Sequence, residues 1–197
     1  MVVLRDSAHG NNTIGKCSPD KTLLEYKWSR EVGEMIDAKL KALGIQIINI
    51  VPEEYDVPLS TRCQRANAYC KQYGTSNVVL VSPHINAAGS DSKWHDASGF
   101  SVWIAKNASA KSKDIAKMFQ LKAESLGLKG NRCVPSCKYW EANFYILKNT
   151  ACPAVLTENL FQDNKQDCEW LKSQKGKETI AQMHVDVIVE YINKYGK

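Results

Sequence analysis

Val78-Val-Leu-Val-Ser-Pro-His84-Ile-Asn86 sets an unbroken apolar run directly before a polar stretch that carries a histidine. A short apolar run bounded by polar residues reads as a buried strand, here Val78 to Val81. Upstream, residues 59–73 form an amphipathic helix with Cys63, Ala66, Cys70 and Tyr73 on one face, ended by Gly74. Before it, the β-branched stretch Ile45 to Val51 reads as a strand. The segment Leu23 to Leu43 is helical, with Val32, Ile36, Leu40 and Leu43 at helical spacing and Gly44 in the C-terminal cap position. Residues 1–6 are a first apolar strand, and a polar loop runs from Ser7 to about Asp20.

Downstream the alternation continues. Phe100 to Ile104 reads as a strand, and Ser112 to Leu126 as a helix through Ile115, Met118, Phe119 and Leu126. Residues 144–148 and 153–157 read as the last strands, and 164–173 and 177–195 as the last helices. Ile180, Val187, Ile188, Tyr191 and Tyr195 form the inward stripe of the final one. Strands alternating with helices predict an α/β fold: one domain over residues 1–197, with a mainly parallel twisted sheet of about six strands flanked by helices on both faces.

Composition removes several classes of function. Hydrophobic residues make up 44% and charged residues 24%, the balance of a soluble globular protein. No apolar run approaches the roughly 20 residues that span a bilayer, so no membrane partner is expected. The net charge of +5 is mild, and Lys106, Lys111, Lys113 and Lys117 read as a solvated helix face. No element interleaves basic and aromatic residues, so no nucleic-acid partner is expected. The seven cysteines contain no Cys-x2-Cys pair, which argues against a thiolate zinc finger and for reduced thiols.

Three titratable groups fall at equivalent places in this scheme. His9 follows the first strand, His84 follows Val78 to Val81 with its Ser-Pro, and Glu158 follows Pro153-Ala-Val-Leu-Thr. In an open α/β sheet the carboxyl ends of the strands line the ligand crevice, so residues distant in sequence can converge there. Glu25 opens the first helix, beside the strand that delivers His9. Two imidazoles and a carboxylate form a catalytic zinc set with one position left for water, and a further carboxylate, Glu158, can shuttle a proton.

With those residues named, the chain resembles the zinc-dependent N-acetylmuramoyl-L-alanine amidases of the type 3 catalytic domain. Arg5-Asp-Ser-Ala-His9-Gly is similar to the family's Asp-Pro-Gly-His-Gly, and Leu24-Glu25 stands where the family has its glutamate ligand. Leu59-Ser-Thr-Arg62-Cys-Gln-Arg-Ala-Asn67 resembles Leu-Ser-x-Arg-x-x-x-Ala-Asn. Ser82-Pro-His84-Ile-Asn86-Ala resembles Ser-x-His-x-Asn-Ala, and Gly99-Phe-Ser-Val-Trp resembles the strand that follows it. Pro153-Ala-Val-Leu-Thr-Glu158-Asn-Leu-Phe-Gln-Asp-Asn164 is similar to Pro-x-x-Leu-x-Glu-x-x-Phe-x-x-Asn. Ser7-Ala8 and Pro83 depart from the pattern without removing a ligand, and Gly130 to Asn143 is less typical.

The resemblance implies Zn2+ on His9, Glu25 and His84, Glu158 as acid/base, and cleavage of the amide between N-acetylmuramic acid and L-alanine in bacterial peptidoglycan. Asn86 and Asn143 could bind substrate or cap loops; Asp6 could orient His9 or serve as a turn residue. Arg62 is expected to tie a helix start to a loop, His95 to sit in an exposed loop, and His184 to pack or be solvated. Trp94, Trp103 and Trp140 could stack on sugars, with at least one in the core. Met1-Val-Val-Leu-Arg-Asp lacks a basic leader region, so an endolysin-like protein, cytoplasmic until released to the wall, is expected, or an extracellular or periplasmic one if a leader was removed. A monomer is expected. The alternatives are a zinc peptidase cutting within the stem peptide and a non-catalytic wall-binding domain of the same fold.

Overall fold

The computed structural model describes residues 1–196. Its strands are β1 (Val2–Arg5), β2 (Ile47–Asn49), β3 (Val78–Asn86), β4 (Ser101–Ile104), β5 (Trp140–Glu141) and β6 (Ala154–Phe161). The helices are α1 (Glu25–Ala42), α2 (Leu59–Tyr73), α3 (Ala110–Ser125), α4 (Tyr145–Lys148), α5 (Lys165–Lys172) and α6 (Gln174–Tyr195). The six strands make one sheet in the order β2-β1-β3-β6-β4-β5. All pairs are parallel except β4 against β6. No described helix is long and apolar enough to cross a membrane.

Successive strand residues point to opposite faces, which divides the core in two. Val3, Val79, Val81, Val102 and Val155 face α1, α3 and α6, meeting Trp28, Val32, Ile36, Phe119, Ile180 and Ile188. Val2, Leu4, Val78, Leu80, Ala154 and Leu156 face the opposite way, onto Cys63, Ala66 and Cys70 of α2 and onto Ile146 and Leu147. Helices therefore cover both faces, as the alternation of elements predicts. The seven cysteines stand unpaired, with Cys63, Cys70, Cys152 and Cys168 buried.

Two expectations need correction. Residues 144–148 are not a strand. Ile146 and Leu147 are both buried against the α2 face while Phe144 and Tyr145 are exposed, and only a helical turn turns consecutive residues to one side. The strand expected there is instead the short β5, which pairs with β4 through Trp103 and Trp140. Second, β3 and β6 run well past Val81 and residue 157, so His84 and Glu158 lie within strands rather than after them.

The last helix is tied to the sheet by His184, which is fully buried. Its Nδ1–H donates to the Ile180 carbonyl at 2.8 Å, so Nε2 accepts from the Thr157 hydroxyl at 2.9 Å. Asn159 Nδ2 in turn donates to Thr157 Oγ1 at 3.1 Å and to the His84 carbonyl at 2.9 Å. This chain of bonds runs from α6 to the backbone of β3.

Burial pushes the His184 imidazole down from 6.5 to about 4. The unfolded chain therefore binds the proton more readily, and stability is lost as pH falls. We predict that about 3 kcal/mol is lost between pH 6.5 and 4 through this residue, all of it present above 6.5. Urea unfolding of wild type and His184→Gln at several pH values checks this; equal pH slopes for the two proteins would refute it.

Candidate metal centre

The loop after β1 brings His9 to the sheet's carboxyl edge in an unusual backbone state, with φ at +49°. A β-carbon on the next residue, Gly10, would lie 1.9 Å from the Asp56 nitrogen, so only glycine lets the loop pass there. Ser29 locks the approach: its Oγ accepts from the Ala8 N–H at 2.9 Å and donates to the Pro83 carbonyl at 2.9 Å. One hydroxyl thus fixes the chain beside His9 and the chain beside His84. The Arg30 guanidinium adds bonds to the carbonyls of Ala8 and His9, each at 3.1 Å.

Glu25 is the first residue of α1 and is 1% exposed. Its Oε1 accepts from the Ile85 N–H and meets His84 Nδ1, both at 3.0 Å, while Oε2 lies 3.4 Å from His9 Nε2. The two imidazoles sit edge to face with centroids 5.1 Å apart. One nitrogen of each and one Glu25 oxygen all lie within 4.8 Å of one another. Burial would raise the Glu25 carboxyl, but the His84 hydrogen bond and the charges of both imidazoles outweigh it and hold it below its ordinary value. Burial would likewise lower His84, yet the Glu25 bond and charge carry it above the usual imidazole range. His9 has no such bond, and burial drives it down to about 4.

Glu158 comes from β6. It is the register partner of His84 on the adjacent parallel strand β3, immediately before the irregularity between His84 and Asn86. Burial lifts its carboxyl to about 7 against the opposing charge of His84. Among the described residues, Oε2 of Glu158 and Oε2 of Glu25 are buried with no hydrogen-bond partner. His9, His84 and Glu158 open into one cleft of about 400 Å³, walled by Leu156, Phe144 and Tyr145.

The fit to a divalent cation can be tested on these atoms. Two imidazoles and a carboxylate suit zinc, and a buried carboxylate oxygen without a donor is the acceptor a cation would satisfy. The donor set fits.

The other expected residues fare differently. Asp6 makes no hydrogen bond to His9; its carboxylate accepts from Arg62 at 2.9 Å and from Ser82 at 2.6 Å. Arg62 binds the Val57 and Ser7 carbonyls as well as Asp6 and Asp56, tying the start of α2 to the His9 loop. The Asn86 side chain accepts from its neighbour's Ala87 N–H, the capping alternative. Asn143 is exposed and lines a separate, larger cavity of about 850 Å³ near the starts of β3 and β6, away from the four residues. His95 is half-buried and paired with Asp91 at 2.9 Å. Trp94, Trp103 and Trp140 are all half-buried, none in the core proper.

Sequence reasoning missed Ser29, Arg30 and Asn159. Only Ser29 carried a signal: Glu25, Ser29, Val32, Ile36 and Leu40 share one helix face, so two polar residues interrupt a buried stripe.

A model of the N-acetylmuramoyl-L-alanine amidase family matches residues 2–190. The amidase CwlM of Bacillus licheniformis is 31% identical over 140 residues, which is 70% of this chain and 47% of that protein. The endolysin of Bacillus phage SPP1 is 44% identical over 52 residues, 26% of this chain and 19% of that one. The chain thus spans about half, or less, of the length of the curated relatives it matches. Among solved structures, an N-acetylmuramoyl-L-alanine amidase from Clostridium difficile 630 superposes with a TM-score of 0.84 at 24% identity, covering 99% of this chain and 98% of that one. The catalytic domain of CwlV from Bacillus (Paenibacillus) polymyxa var. colistinus gives 0.81 at 23% identity, with 98% of each chain covered. Both of these support the fold, and the family match over nearly the whole chain goes further: this protein belongs to the N-acetylmuramoyl-L-alanine amidase family.

Proposed function

We propose that the chain hydrolyses the amide between the lactyl group of N-acetylmuramic acid and L-alanine in bacterial peptidoglycan. In this reading His9, Glu25 and His84 hold a zinc ion and Glu158 is the catalytic acid/base. The observation that carries it is the pairing of Glu158 with His84 across β3 and β6, in one cleft with His9 and with a carboxylate oxygen left unpartnered. Bound zinc would supply a Lewis acid that polarises the scissile carbonyl and makes water nucleophilic near neutral pH.

The chain's own groups supply the rest. Glu158 takes a proton from the attacking water and delivers it to the departing L-alanine nitrogen. Its burial suits both halves of that task, because a carboxyl lifted toward neutrality both accepts and returns a proton readily. Ser29 keeps the His9 loop against β3, Arg30 ties the same loop to the Glu53 carbonyl, and Glu25, itself pinned by the Ile85 N–H, keeps the His84 ring in place. All four principal residues come from one chain, so a monomer is sufficient. The site of action would be the cell wall, in keeping with the phage endolysin among the relatives.

Purified protein stripped with a chelator should release no new L-alanine amino termini from peptidoglycan, and zinc should restore the release. Glu158→Gln should keep its zinc yet lose activity by about a hundredfold or more; full activity in that variant would sink the acid/base assignment. Ser29→Ala orphans two buried backbone groups and should cost about 1–3 kcal/mol in urea unfolding. Its zinc affinity should fall by about tenfold or more, as seen when groups behind a ligand are removed; unchanged affinity in a competition titration would rule out the clasp.

A further inference from the structure

Lys16 takes no part in the chemistry above, yet it stands at the cleft. It lines the 400 Å³ catalytic cleft and also an adjoining cavity of about 250 Å³ bordered by Ala87, Gly89 and Asp163, so it forms the rib between them. Its backbone is fixed to the metal centre: the Lys16 carbonyl accepts from the Glu25 N–H at 3.0 Å, and Cys17 bridges Leu24 in antiparallel fashion. The ammonium is differently placed from the guanidinium that also lines the cleft. Arg62 is committed to Asp6 and Asp56. Among the described residues, no carboxylate lies within ion-pair distance of Lys16. Its side chain is exposed, and its charge is felt at both His9 and Glu158. An unpaired cation on a backbone anchored at the mouth of a reaction cleft is available to an anionic group on the substrate.

The amidase reading, on which this inference rests, supplies such a group. In peptidoglycan stems, L-alanine is followed by D-glutamate joined through its side-chain carboxyl. This leaves an α-carboxylate one residue from the scissile amide, and some walls carry it as the carboxamide instead. We propose that Lys16 binds this α-carboxylate and makes the protein select stems in which it is free over stems in which it is amidated. The second cavity, on the far side of Lys16, gives the rest of the stem a path away from the scissile bond.

The test uses two N-acetylmuramoyl tetrapeptides that differ only at the second residue, D-glutamate or D-isoglutamine. Binding is measured by calorimetry in zinc-loaded Glu158→Gln protein, where turnover does not interfere. The carboxylate form should bind about tenfold more tightly than the amide, the effect of one charge-assisted hydrogen bond. Adding Lys16→Ala should weaken the carboxylate form about tenfold and the amide form less than twofold, and Lys16→Arg should retain the preference. The preference should shrink as salt is raised. Equal losses on both peptides, no loss on either, or no measurable binding of either would overturn the assignment. The amidase reading is scored separately, by cleavage of the same peptides with Glu158 intact. Tight, Lys16-dependent binding without release of L-alanine amino termini would reject that reading and leave the Lys16 assignment standing.

Discussion

The structure turns on one buried carboxylate. Glu25 is 1% exposed, and a lone carboxylate at that depth would be strongly disfavoured as an anion. It is tolerated because the donors around it are charged or fixed: the Ile85 N–H, His84 Nδ1 and, at longer range, His9 Nε2. Its position as the first residue of α1 helps further, since the partial positive charge of a helix start favours an anion there. The loop from Ser7 to Leu24, which has little apolar content of its own, is organised by what it must deliver to this group. Arg30, Ser29 and the Lys16 carbonyl hold it by hydrogen bonds, and Leu23 anchors its end in the core.

The second constraint is strand register. In parallel strands, a slip of one residue would turn Glu158 to the opposite face. Register is set here by the apolar alternation of β3 and β6, with Leu80 and Leu156 on one face and Val81 and Val155 on the other. The core therefore aligns the site. Asn159 reinforces it from below by bonding the His84 carbonyl and the Thr157 hydroxyl, which in turn meets His184. A histidine on a distant helix is coupled in this way to the strand that carries a candidate ligand, with no contact to the cleft itself.

Much of this was legible in the sequence, for identifiable reasons. Long helices with apolar residues at regular spacing and strands with compact apolar runs announce the α/β layers, and the carboxyl-edge rule for such sheets brings His9, His84 and Glu158 to one rim. Short segments and strand ends are less legible. Phe144-Tyr-Ile-Leu-Lys148 is too short for periodicity to separate a strand from one helical turn, and the ends of β3 and β6 continue through polar residues that resemble a loop. Hydrogen-bond partners failed for a different reason. Asp6 is close to His9 in sequence, but Arg62 and Ser82, far away in sequence, claim its oxygens. Spacing along a chain does not say which of several nearby donors a carboxylate will choose.

Several departures from local expectation meet where the chemistry is proposed. His9 has a left-handed backbone, Glu25 and Glu158 each keep a buried oxygen without a partner, and burial drives the His9 and Glu158 side chains toward their neutral forms. Each of these disfavours the folded chain by itself, and the hydrogen bonds to Glu25 Oε1 leave the two Oε2 atoms without a partner. A bound divalent cation would relieve several together, since it gives the Glu25 oxygen and both imidazoles a common partner. Without the cation, the Glu25–His84 pair is the internal substitute, and the scaffold of β1, β3, β6 and α1 holds His9 and Glu158 beside it without a hydrogen bond of their own to that pair.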